Sequence, residues 1–101
     1  MTKLDEYVAS IGSDVWKKIP GLEDDRIVIL GWERQSQKFC NLLRVDLNGQ
    51  IIWTVQPPHP LEGVYVDAEI KNGKLVANNF VGFIDAVDYE TGKAAHTAFT
   101  K

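Results

Sequence analysis

What the chain lacks narrows its identity first. A single cysteine, Cys40, in 101 residues excludes an internal disulfide and a Cys-rich metal site. It stands in an apolar run, so it reads as a buried, inert thiol. No window approaches the ~20 apolar residues of a membrane helix. The opening Met1-Thr2-Lys3-Leu4-Asp5-Glu6 has no apolar signal core, so the expected address is the cytoplasm, with no membrane partner. Lys and Arg number 11 against 14 Asp and Glu, a formal charge of −3. The cations are scattered, with only Lys17-Lys18 adjacent, and they form no basic stripe for nucleic acid. The sequence shows no phosphate loop, metal-ligand spacing, nucleotide fingerprint or Ser-His-Asp set that it can place.

What is present is ordinary in bulk. Apolar content of 45% and charged content of 25% belong to a globular protein, and the length suits one domain. Leu4, Tyr7, Val8 and Ile11 recur at helical spacing, with Thr2 as N-cap and Gly12 as stop. This predicts a short amphipathic helix within residues 1–12, one that persists only if it docks. From Arg26 onward the period becomes that of strands. Ile27-Val28-Ile29-Leu30 is apolar on both faces and reads as a central strand. Phe39, Leu43 and Val45 are expected to share one face, and Ile51, Trp53 and Val55 another. Arg34 to Lys38 reads as a polar hairpin tip. Val64 to Lys71 alternates, with its aliphatics expected inward, and Asn72-Gly73 then suits a two-residue type I′ turn. Lys74 to Asn78 and Phe83 to Asp88 make a second hairpin around Gly82, and residues 94–100 finish the meander. Gln56-Pro57-Pro58-His59-Pro60 cannot join a central strand, because its prolines lack the ladder N–H. The expected fold is all-β: an antiparallel meander of about seven strands. It divides into a first β-unit (26–56), a Pro-rich connector (57–60) and a second β-unit (61–101).

The most informative feature is a signature that occurs twice. The first copy is Val45-Asp46-Leu47-Asn48-Gly49-Gln50-Ile51-Ile52-Trp53. The second is Val87-Asp88-Tyr89-Glu90-Thr91-Gly92-Lys93-Ala94-Ala95-His96. They stand 42 residues apart by Asp and 43 by Gly, the length of one four-stranded propeller-type unit. Each reads Val-Asp, a short turn ending in Gly, and a large ring four residues past that Gly.

The second copy resembles the tryptophan-docking repeat of quinoprotein-type β-propellers, A-x-D-x-x-T-G-K-E-x-W. Ala86, Asp88, Thr91, Gly92 and Lys93 match, while Ala94 stands for the Glu and His96 for the Trp. The first copy keeps Asp46, Gly49 and Trp53, with Arg44 for the Ala and a turn one residue shorter. The resemblance covers about residues 26–100 and implies two blade-like units. A closed propeller takes at least four blades, about 170 residues in all. Two units cannot surround the channel in which that family holds its quinone, so no cofactor is expected. The chain also resembles small single-domain bacterial proteins built as a β-meander ending in an Asp-x-x-Thr-Gly-Lys hairpin. Most of those have no assigned function, and some are encoded near toxins as immunity-like proteins.

An open meander leaves two edges. The expectation is a homodimer through an edge strand, or an edge capped by residues 3–12. Trp32, Asn78, Asn79 and Phe80 are the candidate partner contacts, because aromatics at hairpin tips suit interface hot spots. Trp53, Asp46, Gly49, Asp88, Gly92 and His96 are candidate structural residues of the repeat, and Trp16 is assigned with Trp53 to the core. His59 reads as a loop residue. Asp67 and Glu69 read as the polar face of a strand, and Glu23-Asp24-Asp25 as a solvated loop. The leading reading is a non-catalytic protein-interaction module, immunity-like or inhibitory. The alternative is a small-molecule or carbohydrate binder using the groove between the units. An enzyme ranks third, since it requires the histidines or outward carboxylates to converge.

Overall fold

The computed structural model describes residues 2–31, 40–59 and 63–99, without the side chains of residues 98 and 99. Trp32, Phe39 and the Arg34–Lys38 tip lie outside them. The expected helix is α1, Lys3–Ile11. Thr2 and Asp5 form a reciprocal capping box, each backbone N–H donating to the other's side chain at 3.1 Å, and Gly12 closes the helix in the left-handed region. This arrangement satisfies backbone groups that a short helix otherwise leaves open.

Among the described residues, eight strands follow. The first sheet holds β1 (Val15–Pro20), β2 (Asp25–Leu30), β3 (Leu42–Asp46) and β4 (Ile51–Thr54). The second holds β5 (Tyr65–Lys71), β6 (Lys74–Asn79), β7 (Phe83–Val87) and β8 (Ala94–Phe99). Each is an antiparallel meander in chain order. The β5–β6 turn is Asn72-Gly73, both residues at positive φ, as the dipeptide predicts.

The two sheets pack face to face. Ile27, Ile29, Leu42, Trp53 and Val55 of the first unit meet Tyr65, Ala68, Leu75, Ala77, Val87 and Ala94 of the second in one apolar core. The opposite face of the first sheet presents Val28, Leu30, Leu43 and Val45, and α1 covers them. Strand β2 is therefore buried on both sides, as its unbroken apolar run requires. The helix thus covers a face, where the sequence reading had offered it an edge. The margins are tied differently. Lys17 of β1 reaches Asp67 of β5 at 2.8 Å, and Gln56 bridges Lys93 in parallel fashion beside β8.

Three expectations need correction. Strand β1 was not foreseen, because its short, Lys-rich, Pro-ended sequence carries no clean alternation; as an edge strand it has little core to face. A bulge between Val15 and Lys17 accompanies the exposure of Trp16, which is 49% accessible and not a core residue. A second bulge, between Arg44 and Val45, turns Ile51 toward α1 while Trp53 and Val55 face the core. A third, between Tyr65 and Asp67, brings Tyr65 fully inside and leaves Val66 half-buried. Each extra residue reverses the side-chain phase of its strand.

Candidate functional site

Each repeat turn is anchored by its aspartate. The carboxylate of Asp46 accepts from the backbone N–H of Asn48 and Gln50, and that of Asp88 accepts from Glu90 and Thr91. Gly49 and Gly92 take φ of 78° and 79°, the region where a Cβ is costly. The turns differ in what rests on them. A Cβ on Gly92 would lie 2.6 Å from the ring of Trp53, and one on Gly49 would lie 2.5 Å from Thr2. Trp53 also donates its indole N–H to the carbonyl of Tyr89 at 2.8 Å. The first unit is thereby held on the turn of the second, and α1 rests through Thr2 against the turn of the first.

Arg44 completes that junction. Its Nε donates to Asp25 (2.6 Å), Nη1 to the Tyr89 carbonyl (2.8 Å) and Nη2 to Glu23 (2.6 Å). Its guanidinium also lies over the Tyr89 ring, 4.2 Å from the centroid. Tyr89 Oη donates to Asp25 Oδ1 at 2.7 Å and accepts from the backbone N–H of Leu22 at 2.8 Å. Burial pushes the Asp25 carboxyl upward, but hydrogen bonds from Tyr89, Arg44 and the Glu23 backbone, with the Arg44 charge, hold it below the usual carboxylate range. The acidic Glu23-Asp24-Asp25 run is thus no simple solvated loop, since Asp25 is buried against an arginine. With Arg44 and Asp25 bonded to each other, the cluster is a structural bolt.

The second polar cluster lies at the other end of the second sheet. Asp85 is fully buried. It accepts from Tyr65 Oη at 2.6 Å, and His96 Nδ1 stands 2.5 Å from its other oxygen. The His96 ring stacks on Phe83, with centroids 3.8 Å apart. A carboxylate behind an imidazole fixes the neutral ring's proton on Nδ1. The register places His96 opposite the buried Asp85, with the histidine itself exposed, while Ala95 stands opposite Ala86 as Trp53 stands opposite Arg44. By pairing, the counterpart of Trp53 is therefore Ala95, and the ring position that the motif gave to His96 is displaced by one. The sequence spacing concealed this, because the first copy has the shorter turn and a bulge after it.

Beside this cluster stands the β6–β7 turn. Asn79 is 3% exposed, and its Oδ1 accepts from the backbone N–H of Gly82 and of Phe83, each at 2.9 Å. Those two donors fix which end of the amide is oxygen, and its Nδ2 is buried without a partner among the described residues. The turn holds Phe80 at 61% and Val81 at 43% exposure. Asn78 is exposed on β6. Of the candidate contacts, Phe80 and Asn78 thus lie at the surface, and Asn79 is the bracket beneath them. His59 is exposed in the connector, and Asp67 pairs with Lys17 while lining one small hollow with Glu69 and Asn78. Among the described residues, no three His, Cys, Asp or Glu side chains gather to hold a metal ion, and no helix is long and apolar enough to cross a membrane. The Cys40 thiol is half-buried, and burial raises its pKa, away from the reactive thiolate.

No curated protein and no solved structure matches the chain. One family model does, over residues 14–99, with the description "Domain of unknown function (DUF7957)". The chain belongs to that family, and the shared region takes in all eight strands but not α1.

Proposed function

We propose that this chain is a non-catalytic protein-interaction module that meets its partner through the β6–β7 turn. The observation that carries the reading is Phe80, an aromatic ring 61% exposed on a turn with little freedom to move. Hydrogen bonds pin that turn, among them Phe80 N–H to the Val64 carbonyl, Gly82 N–H to the Asn79 carbonyl, and the two to Asn79 Oδ1. A pre-positioned ring loses little freedom on docking, and aromatics of this kind are frequent interface anchors. The space between the sheets is filled by the apolar core, which favours a surface contact over a ligand held in the inter-sheet groove. The margins of the sandwich are already tied by Lys17–Asp67 and Gln56–Lys93, which favours the turn over an edge strand as the contact. In this reading the partner is another protein, held stoichiometrically in the manner of an immunity-like or inhibitory bacterial protein of the cytoplasm.

The test compares wild type with Phe80→Ala and Val81→Ser as baits in quantitative capture. The expected result is one stoichiometric partner on wild type, lost from both variants while their melting temperatures stay unchanged. Equal recovery on all three baits removes the turn from the interface. Recovery of no protein on any bait, together with a melting-temperature rise in a screen of sugars and metabolites, would replace the reading with a small-ligand binder.

A further inference from the structure

We propose that the outer face of the first sheet is a helix-accepting docking surface that α1 occupies in cis. Its partner in trans is an acidic amphipathic helix reaching beyond the first turn of α1. This inference is independent of the Phe80 surface.

The floor of that surface is Val28, Leu30, Leu43 and Val45, all buried beneath α1. An apolar patch of this kind is not left bare on a soluble domain. Yet its cover is slight. Helix α1 has nine residues, of which Leu4 is buried and Tyr7, Val8 and Ile11 only half-buried; a helix this short does not persist without the face it rests on. The family region begins at residue 14, after the helix has ended. The shared domain therefore contains the floor but not the cover. The floor also has its own docking feature, since Gly49 leaves room for Thr2 and accepts the backbone N–H of Leu4 at 2.9 Å.

The chemistry of a competing helix follows from what lies beyond α1. A cleft of about 570 Å³ flanks its first turn, with Lys18 and Arg26 in its wall beside Asp5, Asp46 and Asn48; the Asp46 carboxylate is already engaged by the backbone N–H of Asn48 and Gln50. Both cations are exposed and border the same outer face as Val28 and Val45. Helix α1 already carries Asp5 and Glu6 in its first turn. Hydrogen bonds from Thr2 hold the Asp5 carboxyl below its usual range, with a smaller contribution from the charge of Lys18. A helix with further carboxylates ahead of its cap would reach both cations, and its apolar residues at i, i+3, i+4 and i+7 would rest on the same floor. This is helix-in-groove recognition with charge complementarity at one end. The cis helix competes through its high effective concentration, so release must be weighed against a tethered rival.

The probe is a labelled peptide, three glutamates followed by the sequence of residues 2–13, titrated into the full chain by fluorescence anisotropy. Leu4→Asp in the chain undocks the cis helix and is expected to tighten peptide binding at least tenfold. Lys18→Glu with Arg26→Glu, added to that variant, is expected to weaken it at least tenfold. Native-state hydrogen exchange provides the second readout, with α1 amides expected to exchange at least tenfold faster than those of β2 and β3. A Leu4→Asp chain that keeps its near-UV circular dichroism but binds no tighter overturns the proposal. So does one that loses that spectrum, because α1 is then part of the fold and not a cover. Exchange of α1 only with the whole domain counts the same way, and indifference to the charge reversals removes the acidic helix as the partner.

Discussion

Substituting Gly92 by alanine isolates the junction on which the two-unit fold rests. Two costs add at this position. The left-handed backbone, at φ +79°, penalises an L-residue by roughly 1–2 kcal/mol. The new methyl would also lie 2.6 Å from Cδ2 of Trp53, and forcing an extra carbon into packed surroundings costs roughly 1–3 kcal/mol. Gly92→Ala is therefore expected to destabilise the domain by about 2–5 kcal/mol. Gly73 separates the two terms, because it shares the backbone conformation, at φ +75°, but has open space around its missing Cβ. Gly73→Ala is expected to cost only the first term, about 1–2 kcal/mol. Urea denaturation at constant m-value measures both. In a Trp53→Ala background the ring is gone, and the Gly92 substitution should cost no more than the Gly73 one. Equal losses for the two single variants, or an undiminished Gly92 effect without the ring, would refute the claim that Trp53 rests on this turn.

Other outcomes follow from the same junction. Trp53→Ala removes a ring that is 7% exposed and an indole hydrogen bond, and should cost about 3–5 kcal/mol by thermal or urea unfolding. Arg44→Ala leaves the buried Asp25 carboxylate without its cation, which should cost about 3–5 kcal/mol. Asp25 is held below its unfolded value, so the stability it contributes is fully present above about pH 4 and is lost as the pH falls through its folded value. Melting curves on acidification should show that loss, and Asp25→Asn should flatten it. Asp67 is also lowered, by its bond from Lys17, but both side chains are near half-exposed; solvent screening makes its share of the acid loss the smaller one.

The sequence made some features legible because their causes are local. The Thr2 cap of α1, the Asn72-Gly73 turn and the doubly buried β2 each depend on a few neighbouring residues, and each stands where the pattern placed it. The eight-stranded, two-sheet arrangement was legible only in class, since β1 depends on pairing with β2 and not on a pattern of its own. Bulges explain the misread faces of Ile51 and Tyr65, because an extra residue in one strand is defined by its partner's register and leaves no mark in composition. The Arg44–Asp25–Tyr89 cluster was hidden for another reason. It joins residues 19 and 64 positions from Asp25, and an acidic run reads as solvated until something buries it. The Asp85–His96 pair was half visible: the histidine was singled out, but for a ring position that the register assigns to Ala95.

That displacement gives the pair of sheets a direction. In the first unit, Arg44 and Trp53 face the second sheet and clamp its turn. In the second unit, the positions of the same register are Ala86 and Ala95, half-buried and exposed respectively. Two methyl groups can neither reach a neighbouring turn nor donate a hydrogen bond to it. The stack is therefore directional: α1 rests on the first turn through Thr2, the first unit on the second turn through Trp53, and the second unit presents no equivalent clamp to anything beyond it. Replacing Ala95 by tryptophan would restore only the ring, because the arginine, its buried carboxylate and the tyrosine that orders both belong to the junction already made. A comparable contact on that side would need the whole set again, and Ala86 and Ala95 do not supply it.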